Sequence, residues 1–132
     1  MLKSGILNPH LLDLLARVRH TNTLVISDRG FPFWPEIETV DISLIDDIPT
    51  VLNVLEALIP TFQIGRIWQA EEFALKNPKK SVARFEKSIS AIPGLELTKL
   101  PHVDFKKLVP GAIGLIRTGD TTQYANLILE SA

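Results

Sequence analysis

Cysteine is absent from the 132 residues, which removes disulfides, thiolate nucleophiles and cysteine-ligated zinc together. A small secreted domain usually relies on such cross-links, so the cytoplasm is the expected compartment. No apolar run approaches the roughly 18 residues that a spanning helix needs, so no membrane partner is expected. The opening Met1-Leu2-Lys3-Ser4-Gly5 leads into a short apolar stretch broken by Pro9 and His10, which is not a signal-peptide pattern. An excess of one charge is also lacking. Fourteen basic and fifteen acidic residues leave a net charge of -1 with no basic block, which argues against a nucleic-acid partner. Histidines number only three, His10, His20 and His102, and no pair has the HExxH spacing of a metal site. No glycine-rich phosphate loop or serine nucleophile elbow appears, and Arg117-Thr118-Gly119-Asp120 matches no nucleotide fingerprint.

What is present reads as one globular domain over residues 1–132. Hydrophobic residues make up 45% and charged residues 22% of the chain, near the globular average. Asn8-Pro9 predicts a capped helix start, with Leu11, Leu14, Leu15 and Val18 at helical spacing to about Arg19. Thr23–Ser27 predicts a buried strand, and Asp28-Arg29-Gly30 with Phe31-Pro32-Phe33-Trp34-Pro35 predicts a loop. Thr39–Ser43 predicts a second strand. Asp46-Asp47 predict a helix start, with Pro49 in the first turn and Ile48, Val51, Leu52, Leu55 and Leu58 as the core stripe. Phe62–Trp68 predicts a strand and Ala70–Lys76 a short helix. Asn77-Pro78 repeats the cap-then-proline signal ahead of a helical stripe of Val82, Phe85, Ile89 and Ile92, which Pro93-Gly94 stops. Strands are expected at Leu95–Leu100, Ala112–Arg117 and Tyr124–Leu129, with a short helix over Val103–Val109. Such alternation implies an α/β layered domain, a mixed or mostly parallel sheet flanked by helices.

Each candidate for chemistry has a plain alternative. His20 closes the predicted first helix, where the helix dipole favours an imidazolium; it serves either as a proton carrier or as a simple C-cap. Asp28 follows a buried strand, where ligands of α/β sheets gather, or it only starts the turn before Gly30. Phe31, Phe33 and Trp34 suit a lid, a subunit contact or core packing. His102 stands at a predicted helix start, either facing a ligand or solvated. Glu71-Glu72 read as a solvated first turn.

The strings themselves narrow the choice. Arg17-Val18-Arg19-His20-Thr21-Asn22-Thr23-Leu24-Val25-Ile26-Ser27-Asp28-Arg29-Gly30-Phe31-Pro32, together with Ala70-Glu71-Glu72, Asn77-Pro78 and Tyr124-Ala125-Asn126-Leu127-Ile128-Leu129, resembles the D-ribose pyranase / L-fucose mutarotase (RbsD/FucU) family. The resemblance implies an isomerase that moves a free monosaccharide between ring forms without a cofactor. It implies His20 as the catalytic proton donor. It also implies Asp28, His102, Tyr124, Ala125 and Asn126 as substrate-binding residues. Family members form ring-shaped decamers with the sugar pocket near a subunit boundary, so a homo-oligomer is expected. Three positions depart from the family pattern: Arg19 replaces a glycine, Asn22 an aspartate and Arg29 a small residue. Tyr124-Ala125-Asn126 favours ribose-type chemistry over fucose-type, with an L-fucose mutarotase or a non-catalytic sugar-binding module as alternatives. Ring opening needs two proton movements, one onto the ring oxygen and one off the anomeric hydroxyl, and a positioned acid–base group contributes about 10²–10⁴-fold.

Overall fold

Asn8 opens the first helix as the Asn-Pro pair requires. In the computed structural model, which describes residues 1–132, its side-chain oxygen accepts from the amides of His10 (3.0 Å) and Leu11 (3.1 Å), with Pro9 at the first helical position. This helix, α1 (Pro9–Arg17), buries Leu11 and Leu14. β1 (Thr23–Ser27) follows, its last four residues fully buried. The remaining elements are β2 (Glu38–Asp41), α2 (Val51–Leu58), β3 (Ile64–Ala70), α3 (Glu71–Lys76), α4 (Lys79–Ser90), β4 (Glu96–Leu100), α5 (His102–Leu108), a 3-10 turn (Val109–Gly111), β5 (Gly114–Arg117) and β6 (Leu127–Ser131).

The six strands form one sheet in the order β2-β5-β1-β6-β3-β4. β2, β5 and β1 pair in parallel, as do β3 and β4, while β6 runs antiparallel to both neighbours. Five strands therefore end at the same edge, and only β6 starts there. The expected mixed, mostly parallel α/β domain is the observed one.

Side chains alternate across the sheet, so each face has its own core. On one face Leu24, Ile26, Ile67, Ile116, Leu127 and Leu129 meet α1, α2, α3 and α4 in a cluster of 19 buried residues. On the other face Val25, Leu115 and Ile128 meet Phe31, Phe105, Val109 and Ala112 in a cluster of seven. Phe105 is fully buried there, and such a side chain contributes about 1.5–3 kcal/mol through burial alone.

Several sequence expectations need correction. α1 stops at Arg17, with Val18 already extended, so His20 lies in a turn beyond the helix and does not cap it. The Arg19 guanidinium takes that place, donating to the carbonyls of Ala16 and Val18. The helix expected from Asp46-Asp47 starts at Val51 instead. Asp47 sits at φ 63° in a tight turn bridged by Ile45 and Ile48. Thr50 supplies the real cap, accepting from the Asn53 amide at 3.1 Å while the Asn53 side chain accepts from the Thr50 amide at 2.8 Å. Ile48 is consequently 50% exposed, outside the core stripe. β2 ends at Asp41 rather than Ser43. Asn77 ends α3, its side chain donating to the Phe73 and Gln123 carbonyls at 2.8 Å each, and α4 starts after Pro78 with no side-chain cap. Tyr124, at φ 55°, belongs to a turn, and β6 begins only at Leu127.

Candidate active site

The shared strand edge holds a cavity of about 300 Å³, walled by residues 28–32 after β1, by His102, and by residues 120–124 with Asn126 before β6. This is the edge where open α/β sheets collect ligands. Asp28 stands immediately past the last residue of β1. Its amide donates to Asn126 Oδ1 at 2.8 Å, and its own Oδ1 accepts from the Gly30 amide at 2.9 Å. Asn126 is only 2% exposed, so this bond ties two walls of the cavity together out of water. Burial is the main influence on the Asp28 carboxyl and raises its pKa above the ordinary aspartate value. The Gly30 and Asn126 hydrogen bonds oppose the shift, and the nearby Asp120 charge adds to it.

His102 enters from the start of α5. Its amide donates to both carboxylate oxygens of Glu72, at 3.0 and 3.1 Å, so Glu72 is a structural partner of the site rather than a solvated first-turn acid. The imidazole stacks on Phe105 with centroids 6.0 Å apart, and the Phe31 ring stands edge-on to it at 6.1 Å. Tyr124 meets it edge-on at 5.0 Å. Nδ1 is buried without a hydrogen-bond partner. Burial lowers the His102 pKa, helped by the Lys106 charge and opposed by Glu72 and Asp28. A carboxyl that holds its proton more readily and an imidazole that holds it less readily thus share one cavity. Their proton affinities are drawn toward each other, which suits proton exchange with a bound hydroxyl.

Of the predicted residues, Asp28, His102, Tyr124 and Asn126 line this cavity. Ala125 does not; it is fully buried and packs into the larger core. His20 lies elsewhere. It is exposed and precedes β1, at the opposite edge of the sheet, where the Thr21 amide donates to the Ser131 carbonyl at 2.9 Å. The whole length of β1, five residues at about 3.3 Å each, separates it from Asp28 in the same chain. Among the aromatic candidates, Phe31 is buried as a cavity wall, Trp34 packs against the smaller core and Phe33 is 72% exposed.

Sequence reasoning missed the 118–122 loop. Asp120, 3% exposed, accepts from the Val51 amide at 2.9 Å and the Thr122 amide at 2.8 Å, joining the cavity wall to the positive end of α2. Gly119 is required there, because a Cβ would run into the Ile45 carbonyl oxygen. The missed signal is a polar Thr118-Gly119-Asp120-Thr121-Thr122 string directly after a buried strand. No three His, Cys, Asp or Glu side chains converge in a way that would hold a metal ion, and no helix is long and apolar enough to cross a membrane.

Comparison with known proteins gives consistent matches over the whole chain. Residues 1–132 match the family described as the RbsD / FucU transport protein family. A D-ribose pyranase of Geobacillus kaustophilus is 40% identical over 131 residues, covering 99% of this chain and 93% of that protein. The structure of Bacillus subtilis RbsD complexed with D-ribose superposes with a TM-score of 0.90 at 33% identity, over 100% of this chain and 98% of the other. A fucose mutarotase of Streptococcus pneumoniae in complex with L-fucose shares the fold, with a TM-score of 0.76 at 18% identity over 95% and 92% of the two chains.

Proposed function

This chain belongs to the RbsD / FucU family, and from that membership and the cavity we propose that it interconverts the pyranose and furanose rings of free D-ribose. The observation that carries the proposal is the convergence of a carboxyl, an imidazole, a phenol and an amide on one small cavity: Asp28, His102, Tyr124 and Asn126. A monosaccharide presents hydroxyls around its ring and C–H groups on its faces. Asp28 accepts from and orients the hydroxyls, and the Tyr124 ring packs on a C–H face while its phenol reaches a hydroxyl. His102, biased toward its neutral form, takes the proton from the anomeric hydroxyl. The ring oxygen must receive a proton as the C–O bond opens, and the open chain then recloses through a different hydroxyl. These steps call for no cofactor.

His20 donates the second proton, and it does so across a subunit boundary. Within one chain the sheet separates it from the cavity, so a neighbouring copy presents it. The protein works as a ring-shaped homo-oligomer, a decamer, in the cytoplasm. Exposed apolar side chains support such packing: Phe33 is 72%, Leu44 75% and Ile45 62% exposed, a burden that copy-to-copy contacts relieve.

Saturation-transfer NMR on D-ribose, with L-fucose alongside, tests the reading. Wild type is expected to accelerate ribose exchange, and His20→Ala and Asp28→Asn each to lose about 10²–10⁴-fold. Mixing the two inactive variants under subunit exchange should restore part of the activity, because some mixed sites then hold both native residues. Wild type that accelerates neither sugar overturns the enzymatic reading. A fully active His20→Ala overturns the assigned histidine.

A further inference from the structure

Arg117 ends β5, in register with Ser27 of β1 and Asp41 of β2. Its guanidinium has no carboxylate partner within ion-pair distance. It is pointed instead at the backbone of the loop after β1. One terminal nitrogen donates to the Phe31 carbonyl at 2.6 Å and lies 3.3 Å from the Arg29 carbonyl and 3.5 Å from that of Asp28. The other donates to the Pro32 carbonyl at 3.2 Å. Nearly every carbonyl of the 28–32 segment thus converges on one half-buried cation.

Carbonyl dipoles aimed at a common point repel one another unless a positive group sits there. Without it, each oxygen loses a charge-assisted bond, and the bonds to the Asp28 and Phe31 carbonyls are partly shielded from water. Arg117 thus holds the carbonyl side of the loop, while the Asp28 and Arg29 amides are held by Asn126 and the Asp120 carbonyl. The resulting shape directs the Asp28 carboxylate into the cavity and places Phe31 against His102. A planar fork with separated donors is needed to bridge Phe31 and Pro32 together, and a lysine ammonium is a single point.

We propose that Arg117 is a positioning residue for sugar binding: it never reaches the sugar, but it holds the 28–32 carbonyls and through them the Asp28 carboxylate in the binding geometry. The proposal rests on the reading of Asp28 as a sugar contact, and its test is arranged so that the two can fail separately.

Arg117→Ala and Arg117→Lys are compared with wild type in the ribose exchange assay and, without sugar, by amide hydrogen exchange. Both variants are expected to lose about 10–100-fold in kcat/KM, the scale of an ångström-sized misplacement, mainly through KM. The amides of Gly30 and Phe31 should exchange faster while those of β5 and α2 stay protected. Guanidinium ion at non-denaturing concentration should restore Arg117→Ala in both assays, and ammonium should not. Retention of wild-type kinetics by Arg117→Lys, or loop exchange unchanged in both variants, overturns the proposal. If Arg117→Ala does not fold, Arg117→Lys carries the same comparison, since it keeps the charge and most of the bulk. If wild type binds and converts no sugar, the functional reading falls, and the loop exchange with its guanidinium rescue still decides the role of Arg117.

Discussion

The two faces of the sheet are built to different plans. One carries four helices and 19 buried residues; the other carries α5, a 3-10 turn and a loop over seven. None of the residues that make the larger core belongs to the proposed chemistry; only Tyr124 packs against its margin. The smaller core is different. Phe31 is at once core and cavity wall, and Phe105 backs the His102 ring. Stability and site geometry are therefore separable on the first face and joined on the second.

The sharpest way to break that contrast is to truncate one large side chain on each face. Phe105→Ala should cost about 3–5 kcal/mol and Leu55→Ala about 2–5 kcal/mol in denaturant melts. Only Phe105→Ala should also lower ribose exchange per folded molecule, because His102 loses the ring it stacks on. Equal activity in the two variants, measured at matched folded fraction, removes the distinction. A smaller effect is expected from Asn126→Ala, which leaves the buried Asp28 amide unpaired at a cost of about 1–3 kcal/mol. Melts should report that cost, and calorimetry should report weaker sugar binding.

Acid sharpens the contrast further. The His102 pKa lies below the ordinary value near 6.5, so its neutral form persists to lower pH in the folded protein. Exchange should hold as the pH drops past about 6.5 and decline only below it. Folding stability should fall over the same window, because the unfolded chain binds that proton first. His102→Gln should lose this stability limb. The smallest effect on stability is expected from Asp28→Asn. The carboxyl is raised in the folded state by burial, so its ionised form weakens folding at neutral pH. The amide should match or slightly exceed wild type in Tm there, with the difference closing toward about pH 3.9. A clear loss of Tm at neutral pH would show that Asp28 serves folding as well as binding.

Much of this architecture was legible in the chain, for reasons that differ by segment. Thr23–Ser27 reads as a strand because it is buried on both sides, and a short apolar run with β-branched residues has few other uses. Asn8-Pro9 reads correctly because its cap is local. Asp46-Asp47-Ile48-Pro49 misleads because its partners are distant: Asp47 accepts from the amide and hydroxyl of Thr121, 74 residues away. Tyr124 misleads because Ala125 continues an apolar pattern through what is a left-handed turn. The strings single out Asp28, His102, Tyr124 and Asn126, which line one cavity, whereas Arg117 and Asp120 carry no such signal, since both bond backbone groups of other segments. His20 shows the limit of proximity along the chain. Eight positions from Asp28, it is carried by an intervening strand to the far edge.

Ala125 has a practical consequence for redesign. Its methyl group is fully buried in the larger core, between the two neighbours, Tyr124 and Asn126, that face the cavity. A larger residue there would act as a wedge, levering both neighbours off target at once. Anyone wishing to tailor this protein to a bulkier carbohydrate should leave that position alone and vary the solvent-facing rim at Gln123, whose side chain holds no other segment in place.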